Sequence, residues 1–91
     1  MVREVIFMKF CLITFRSVTY AQRGEAILRR GGLVCSVQRT PRWMEEQGCG
    51  YSLRVKTADA MSCTQLLKSS AVPYRKVYLL KDGGAVEELT L

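Results

Sequence analysis

The sequence contains no histidine and only two prolines, and no apolar stretch in it reaches the about 18–20 residues of a membrane span. Without histidine, the chain cannot supply the general base of a cysteine–histidine or serine–histidine hydrolase. The apolar N-terminal segment is interrupted by Lys9 and is followed by no small-residue cleavage site, so we expect no export signal. The sequence therefore favours a cytoplasmic protein with no membrane partner, whose thiols stay reduced.

The four cysteines are far apart in the sequence, and no two of them form a C-x-x-C pair. Structural zinc sites usually contain two cysteines separated by about two to four residues, so we expect no metal site. No motif calls for a bound cofactor either. Cys11 and Cys35 fall inside apolar segments and are expected to pack as small core side chains, whereas Cys63 falls within a predicted helix.

Basic residues outnumber acidic ones by 14 to 8, which gives the chain a net charge of +6. The lysines and arginines are scattered along the sequence, and they form no basic tail. We do not expect nucleic acid to be a partner, because no helix-turn-helix, zinc-finger or aromatic RNA-binding motif appears. The excess of positive charge favours small anions instead.

The 91 residues are enough for one small domain. We expect an N-terminal extension over residues 1–7 and a folded domain over residues 8–81. Residues 82–91 begin with the turn sequence Asp-Gly-Gly, and they form either a tail or a short extra strand.

Four segments rich in β-forming residues alternate with two segments of helical spacing, in the order βαββαβ. The predicted strands are 8–15, 33–39, 49–56 and 72–81. Ser17 or Thr19 is expected to cap the first helix, with Thr19 and Gln22 fitting a capping box, and Thr57 or Asp59 to cap the second.

The order of these elements is typical of the split βαβ, ferredoxin-like fold of the α+β class. This fold has a four-stranded antiparallel sheet with both helices on one face. The strands at 8–15 and 72–81 are expected at the centre, with apolar side chains on both of their faces. The face without helices is therefore a candidate surface for a homodimer.

The segment QGCGYSLR places Cys49 between Gly48 and Gly50, at the start of the third predicted strand. Glycines on both sides leave a sulfur atom approachable, and they allow backbone N–H groups to turn toward an anion. We therefore treat Cys49 as a candidate reactive thiol. The alternative is that the two glycines only shape a turn or a bulge, and that Cys49 packs like any small apolar residue.

Three arginines are candidate partners for this thiol. Arg42 and Arg54 are close to it in the sequence, and Arg16 follows the first predicted strand, where it can reach the same end of the sheet. Positive charges lower the pKa of a thiol from its usual value of about 8.5 and so favour the thiolate. The same charges would also bind an anionic sulfur or selenium species.

Two blocks of the sequence resemble a small family of putative selenium/sulfur carrier-like proteins. The blocks are ITFRSVTYAQRGEAILRRGGL and TPRWMEEQGCGYSLR, and together they extend the resemblance over about residues 12–80. The specific part is the series Pro-Arg, Cys-Gly and Leu-Arg in the second block. Gly48 departs from the pattern, because a serine is common at that position.

The resemblance implies that Cys49 carries sulfur or selenium as a persulfide-like adduct between enzymes that donate and accept it. Arg42 and Arg54 would then stabilise the thiolate or the perselenide, and Gly50 would allow close approach of the backbone. Transfer of this kind is thiol-exchange chemistry and needs no histidine once the thiolate has formed. The resemblance therefore implies a carrier or accessory protein rather than a stand-alone enzyme.

Two other functions stay open on the residues alone. One is a regulatory module that holds a small anion at the glycines and arginines without covalent chemistry. The other is a structural subunit that dimerises through its open sheet face. Replacement of Cys49 by serine separates the three, because it should abolish carrier function, weaken anion binding slightly and leave a structural role intact.

Overall fold

A computed structural model describes residues 9–41, 50–81 and 86–91 of the chain. Its elements are β1 (Phe10–Phe15), α1 (Val18–Arg30), β2 (Cys35–Arg39), β3 (Tyr51–Lys56), a 3₁₀ turn (Thr57–Asp59), α2 (Ala60–Ser69), β4 (Val77–Leu80) and β5 (Val86–Leu89). The predictions made for Arg42, Gly48, Cys49 and the extension at 1–7 lie outside the described residues.

The strands form one antiparallel sheet of five strands in the order β2-β3-β1-β4-β5. The α+β class with two helices is confirmed. The prediction of four strands is wrong, because Val86–Leu89 pairs with β4 as an additional edge strand. The ferredoxin-like description stays a prediction.

The sequence leaves residues 82–91 open between a tail and a short extra strand, because two glutamates interrupt the short apolar pattern of β5. Glu87 and Glu88 suit an edge strand, where charged side chains in water discourage pairing with another chain. Glu87 forms an ion pair with Lys81 at 2.9 Å, and Glu88 lies 3.7 Å from the Lys76 ammonium group. Pairing with β5 also places β4 inside the sheet instead of at its edge.

The centre of the sheet is β1, which is bonded to β3 on one side and to β4 on the other. Both helices contact one face of the sheet and enclose a single apolar core. Alternate residues of β1 supply the middle of this core, because successive side chains of a strand point to opposite faces. The fully buried core side chains of β1 and the helices are Cys11, Ile13, Phe15, Ala21, Leu28, Cys63 and Leu67.

Helix α1 begins one residue after Ser17, whose hydroxyl oxygen accepts a hydrogen bond from the Tyr20 N–H at 3.3 Å. Ser17 is therefore the cap, and the capping box of Thr19 with Gln22 is wrong because Thr19 already lies inside the helix. A β-carbon at Gly24 would lie 3.1–3.2 Å from Leu53, Leu67 and Phe15 side-chain atoms, so this glycine lets α1 approach the sheet and α2 closely.

The fourth strand begins later than the sequence pattern predicts. Val72 completes the end of α2 instead, since its N–H donates to the Leu67 carbonyl at 3.0 Å and its side chain is buried. The chain then reaches the sheet at Arg75, whose N–H donates to the Thr14 carbonyl at 2.8 Å. At the other end of α2, Asp59 holds the cap position without a side-chain cap bond.

Candidate functional site

The candidate site lies at the end of the sheet where β3 begins. Gly50 is buried there, and its carbonyl accepts a hydrogen bond from the Thr40 N–H at 3.0 Å. The hydroxyl groups of Thr40 and Ser52 also share a hydrogen bond, and both residues are buried. These two bonds, which we call the neck, join the chain on the two sides of residues 41–49. They hold the backbone in place at Gly50, the residue directly after Cys49.

The register of the sheet brings Arg16 to the same end as Gly50. Phe15 is the last residue of β1, and it lies opposite Tyr51, the first residue of β3. Arg16 and Gly50 each adjoin this pair, one after β1 and the other before β3. Arg16 is exposed to solvent. Of the predicted site residues that the structure describes, these two are the ones that it brings together.

Two further arginines lie at this end of the sheet, and the sequence analysis did not select them. Arg39 ends β2 opposite Tyr51, and its guanidinium carbon is 5.9 Å from the centre of the Tyr51 ring. Arg75 is anchored by its backbone beside the end of β1. Only the strand register would have revealed them, because Arg75 is distant from both Arg16 and Cys49 in the sequence.

Arg54 lies farther along β3. It is four residues beyond Gly50, which corresponds to about 13 Å of extended strand. Its guanidinium carbon is 4.0 Å from the centre of the Phe10 ring, a cation–π contact near the opposite end of the sheet. The role of Arg54 beside the Cys49 thiolate stays a prediction, as do the roles of Arg42 and Gly48.

The other three cysteines are all free thiols buried in the protein. This confirms the prediction that Cys11 and Cys35 are core side chains. Burial raises the pKa of Cys11, although its thiol also contacts the Thr57 hydroxyl oxygen at 3.7 Å. Burial likewise raises the pKa of Cys35, with a further contribution from Glu25 that Arg29 partly offsets.

Cys63 has the most strongly shifted thiol. Burial in the middle of α2, together with the negative charge of Asp59, raises its pKa to about 12 from a usual value of 9.0. At neutral pH the thiolate fraction of such a group is negligible, and its sulfur is inaccessible to solvent. Cys63 is thus unsuited to receive or transfer sulfur in the folded protein.

Within residues 9–41, 50–81 and 86–91, no group of three or more cysteine, aspartate or glutamate side chains is arranged to hold a metal ion. Among the same residues, neither helix is long and apolar enough to cross a membrane.

Comparison with known proteins identifies a protein family that this chain matches. A family model described as putative Se/S carrier protein-like matches residues 10–79, which extend from the start of β1 to the third residue of β4. The matched region includes both helices, the neck at Thr40 and Gly50, and Cys49 itself. A search of curated proteins and a search of solved structures give no match.

Proposed function

The chain belongs to the putative Se/S carrier protein-like family, and from this membership we propose that it carries sulfur or selenium on Cys49 as a persulfide-like adduct. The observation that supports Cys49 is the state of the other thiols. Cys11, Cys35 and Cys63 are buried and have raised pKa values. Because transfer requires an accessible thiolate, Cys49 is the cysteine that remains for this role.

The proposed step is an exchange without net oxidation. The Cys49 thiolate attacks the outer sulfur of a donor persulfide, a new sulfur–sulfur bond forms, and the donor thiolate leaves with the electron pair of the broken bond. An acceptor thiolate then attacks the outer sulfur on Cys49, which leaves as a thiolate again. Selenium in the outer position follows the same sequence of bonds. The partners are therefore enzymes that donate and accept the transferred atom.

The neighbourhood of Gly50 supports this chemistry electrostatically. Arg16, Arg39 and Arg75 lie at the end of the sheet that Cys49 directly precedes in the chain. Positive charge near a thiol lowers its pKa, and in this proposal these arginines take the place of the histidine that the sequence lacks. In this proposal Gly48 and Gly50 leave the sulfur open to attack, and Arg42 adds to the positive potential, whereas Arg54 stacks on Phe10 farther along β3.

The sheet face without helices offers a second role that is compatible with the first. This role concerns the outer part of the face, since Leu12 at its centre is already buried. Phe10, Leu80 and Val86 are partly exposed there, beside the exposed Arg54 and Lys56. Association of two copies through this face would cover these apolar side chains and form the predicted homodimer. Carrier function does not depend on it. We place the protein in a reducing compartment, the cytoplasm, because free thiols persist there.

The experiment that tests the carrier proposal is sulfur loading of the intact protein. The wild type is treated with a polysulfide, and peptide mass spectrometry locates the added sulfur atom. We expect the added sulfur atom on Cys49 in the wild type and in the Cys35→Ala variant. The Cys49→Ser variant should carry none. In parallel, alkylation of the native wild type should label Cys49 below about pH 8, where a free thiol is still mostly protonated.

Two results would contradict the proposal. One is sulfur loading of the Cys49→Ser variant to the wild-type level. The other is an alkylation rate at Cys49 no higher than the rate at Cys35, since Cys35 is buried and its pKa is raised. Circular dichroism of both variants serves as the folding control.

A further inference from the structure

A small cleft separates the first turn of α1 from the segment that leads into β4. Its volume is about 200 Å³, and it is lined by Arg16, Tyr20, Pro73, Tyr74 and Arg75. Among the residues that the structure describes, the lining contains two arginines and two tyrosines. Guanidinium and phenol groups donate hydrogen bonds, so this part of the lining is rich in donors.

Hydrogen bonds fix both walls of the cleft. On one wall, the Ser17 cap holds the first turn of α1 directly after Arg16. On the other wall, the Arg75 N–H donates to the Thr14 carbonyl at 2.8 Å, and the Lys76 N–H donates to the Thr14 hydroxyl at 3.0 Å. The two arginine backbones therefore flank the end of β1 at a fixed separation, which lowers the cost of organising a ligand site.

The electrostatics and the size of the cleft select its ligand. The start of α1 contributes the positive end of a helix dipole, and no acidic residue lies in the first turn to neutralise it. The volume is several times the about 30 Å³ that one water molecule occupies, but it is below the about 300–1,000 Å³ of sites for larger organic ligands. A compact anion with several acceptor oxygens meets both conditions.

We propose that the cleft binds a small dianionic oxyanion through Arg16 and Arg75, and that this ligand is a sulfur donor such as thiosulfate. The identity of the ligand rests on the proposed function, because the outer sulfur of thiosulfate can pass to a thiolate. In that step the thiolate bonds to the outer sulfur, the sulfur–sulfur bond breaks, and sulfite leaves with its electron pair.

The position of the cleft agrees with this ligand. Extending the β1–β3 register by one residue places Gly50 opposite Arg16, which lines the cleft. Arg75, which also lines the cleft, donates its N–H to the Thr14 carbonyl near the end of the same strand β1. The oxyanion cleft and the residue that follows Cys49 thus lie at the same end of the sheet.

The test is a titration of the full chain carrying Cys49→Ser, which binds the anion without accepting sulfur. Thiosulfate or inorganic phosphate is added at constant ionic strength, with chloride as the balancing anion, and amide NMR shifts are recorded. We expect saturable shifts with thiosulfate at residues 16–20 and 73–76. Arg16→Gln and Arg75→Gln should each weaken the binding about tenfold, which corresponds to about 1.4 kcal/mol.

Arg23→Gln is the matched control, because it removes the same charge from an exposed position of α1 that is not among the cleft residues. An equal loss of affinity in Arg23→Gln and Arg16→Gln would overturn the proposal, as would shifts that never saturate. Saturation with phosphate but not with thiosulfate would overturn the assignment to a sulfur donor. Because the titrated protein lacks Cys49, its result is independent of whether sulfur loading succeeds.

Discussion

The hydrogen bond between the Thr40 and Ser52 hydroxyls gives the sharpest test of how the site is held. Ser52 is completely buried and Thr40 is nearly so, and the two side chains join the end of β2 to the start of β3. The Ser52→Ala substitution removes one hydroxyl and leaves the other buried without this partner. The Thr40→Val substitution does the reverse while keeping the shape of the side chain.

The expected magnitude follows from burial. A buried polar group that loses its partner costs about 1–3 kcal/mol, whereas replacement of both partners by apolar groups of similar shape can be nearly neutral. Each single variant should therefore lose about 1–3 kcal/mol of unfolding free energy. The double variant should lose less than the sum, with a coupling energy of at least about 1 kcal/mol. A chain of 91 residues has about 5–14 kcal/mol in total, so the singles remain folded.

Urea unfolding of the wild type, the two singles and the double variant measures this coupling. Amide exchange at Thr40 adds a local readout, since its N–H donates to the Gly50 carbonyl in the same neck. We expect faster exchange at Thr40 in Ser52→Ala than the change in global stability explains. Strict additivity of the two substitutions would refute the reasoning, because it would mean that the two hydroxyls do not share a bond.

Two other predictions concern Cys63 and Arg54. The pKa of Cys63 is about 12 in the folded protein and 9.0 in the unfolded chain. Because the unfolded chain loses this proton first, the free energy of unfolding should fall as the pH rises between these two values. Urea unfolding of Cys63→Ala should show a shallower fall, by up to about 1.4 kcal/mol per pH unit, and equal slopes would disprove the assignment. Arg54→Gln should cost about 0.5–1 kcal/mol through its contact with Phe10, and this cost should vanish in a Phe10→Leu background.

The sequence was sufficient to predict the elements whose patterns are local. The apolar residues of β1 identify a central strand, and Ser17 with the glycines after Arg30 bounds α1. The pattern fails at Val72. This residue is as apolar as a strand residue, yet it lies between α2 and β4, where its N–H donates to the Leu67 carbonyl.

The candidate site could be predicted only in part, for a related reason. A sequence motif identifies neighbours of Cys49 along the chain, such as Gly50. It does not identify Arg39 and Arg75, which reach the same end of the sheet through antiparallel pairing with β3 and β1. Knowledge of the register is therefore needed before the charges of Arg16, Arg39 and Arg75, from three separate segments, can be assigned to one site.

A carrier protein with several cysteines must confine transfer to one of them, and this fold provides a physical means of doing so. Cys11, Cys35 and Cys63 lie in the core between the helices and the sheet, where burial keeps the thiols protonated and excludes a donor. Arginines gather instead at the end of the sheet beside Gly50, where positive charge favours a thiolate. Under the proposed function, the same small domain suppresses three thiols by burial and activates Cys49 by positive charge, because burial and positive charge move the pKa of a thiol in opposite directions.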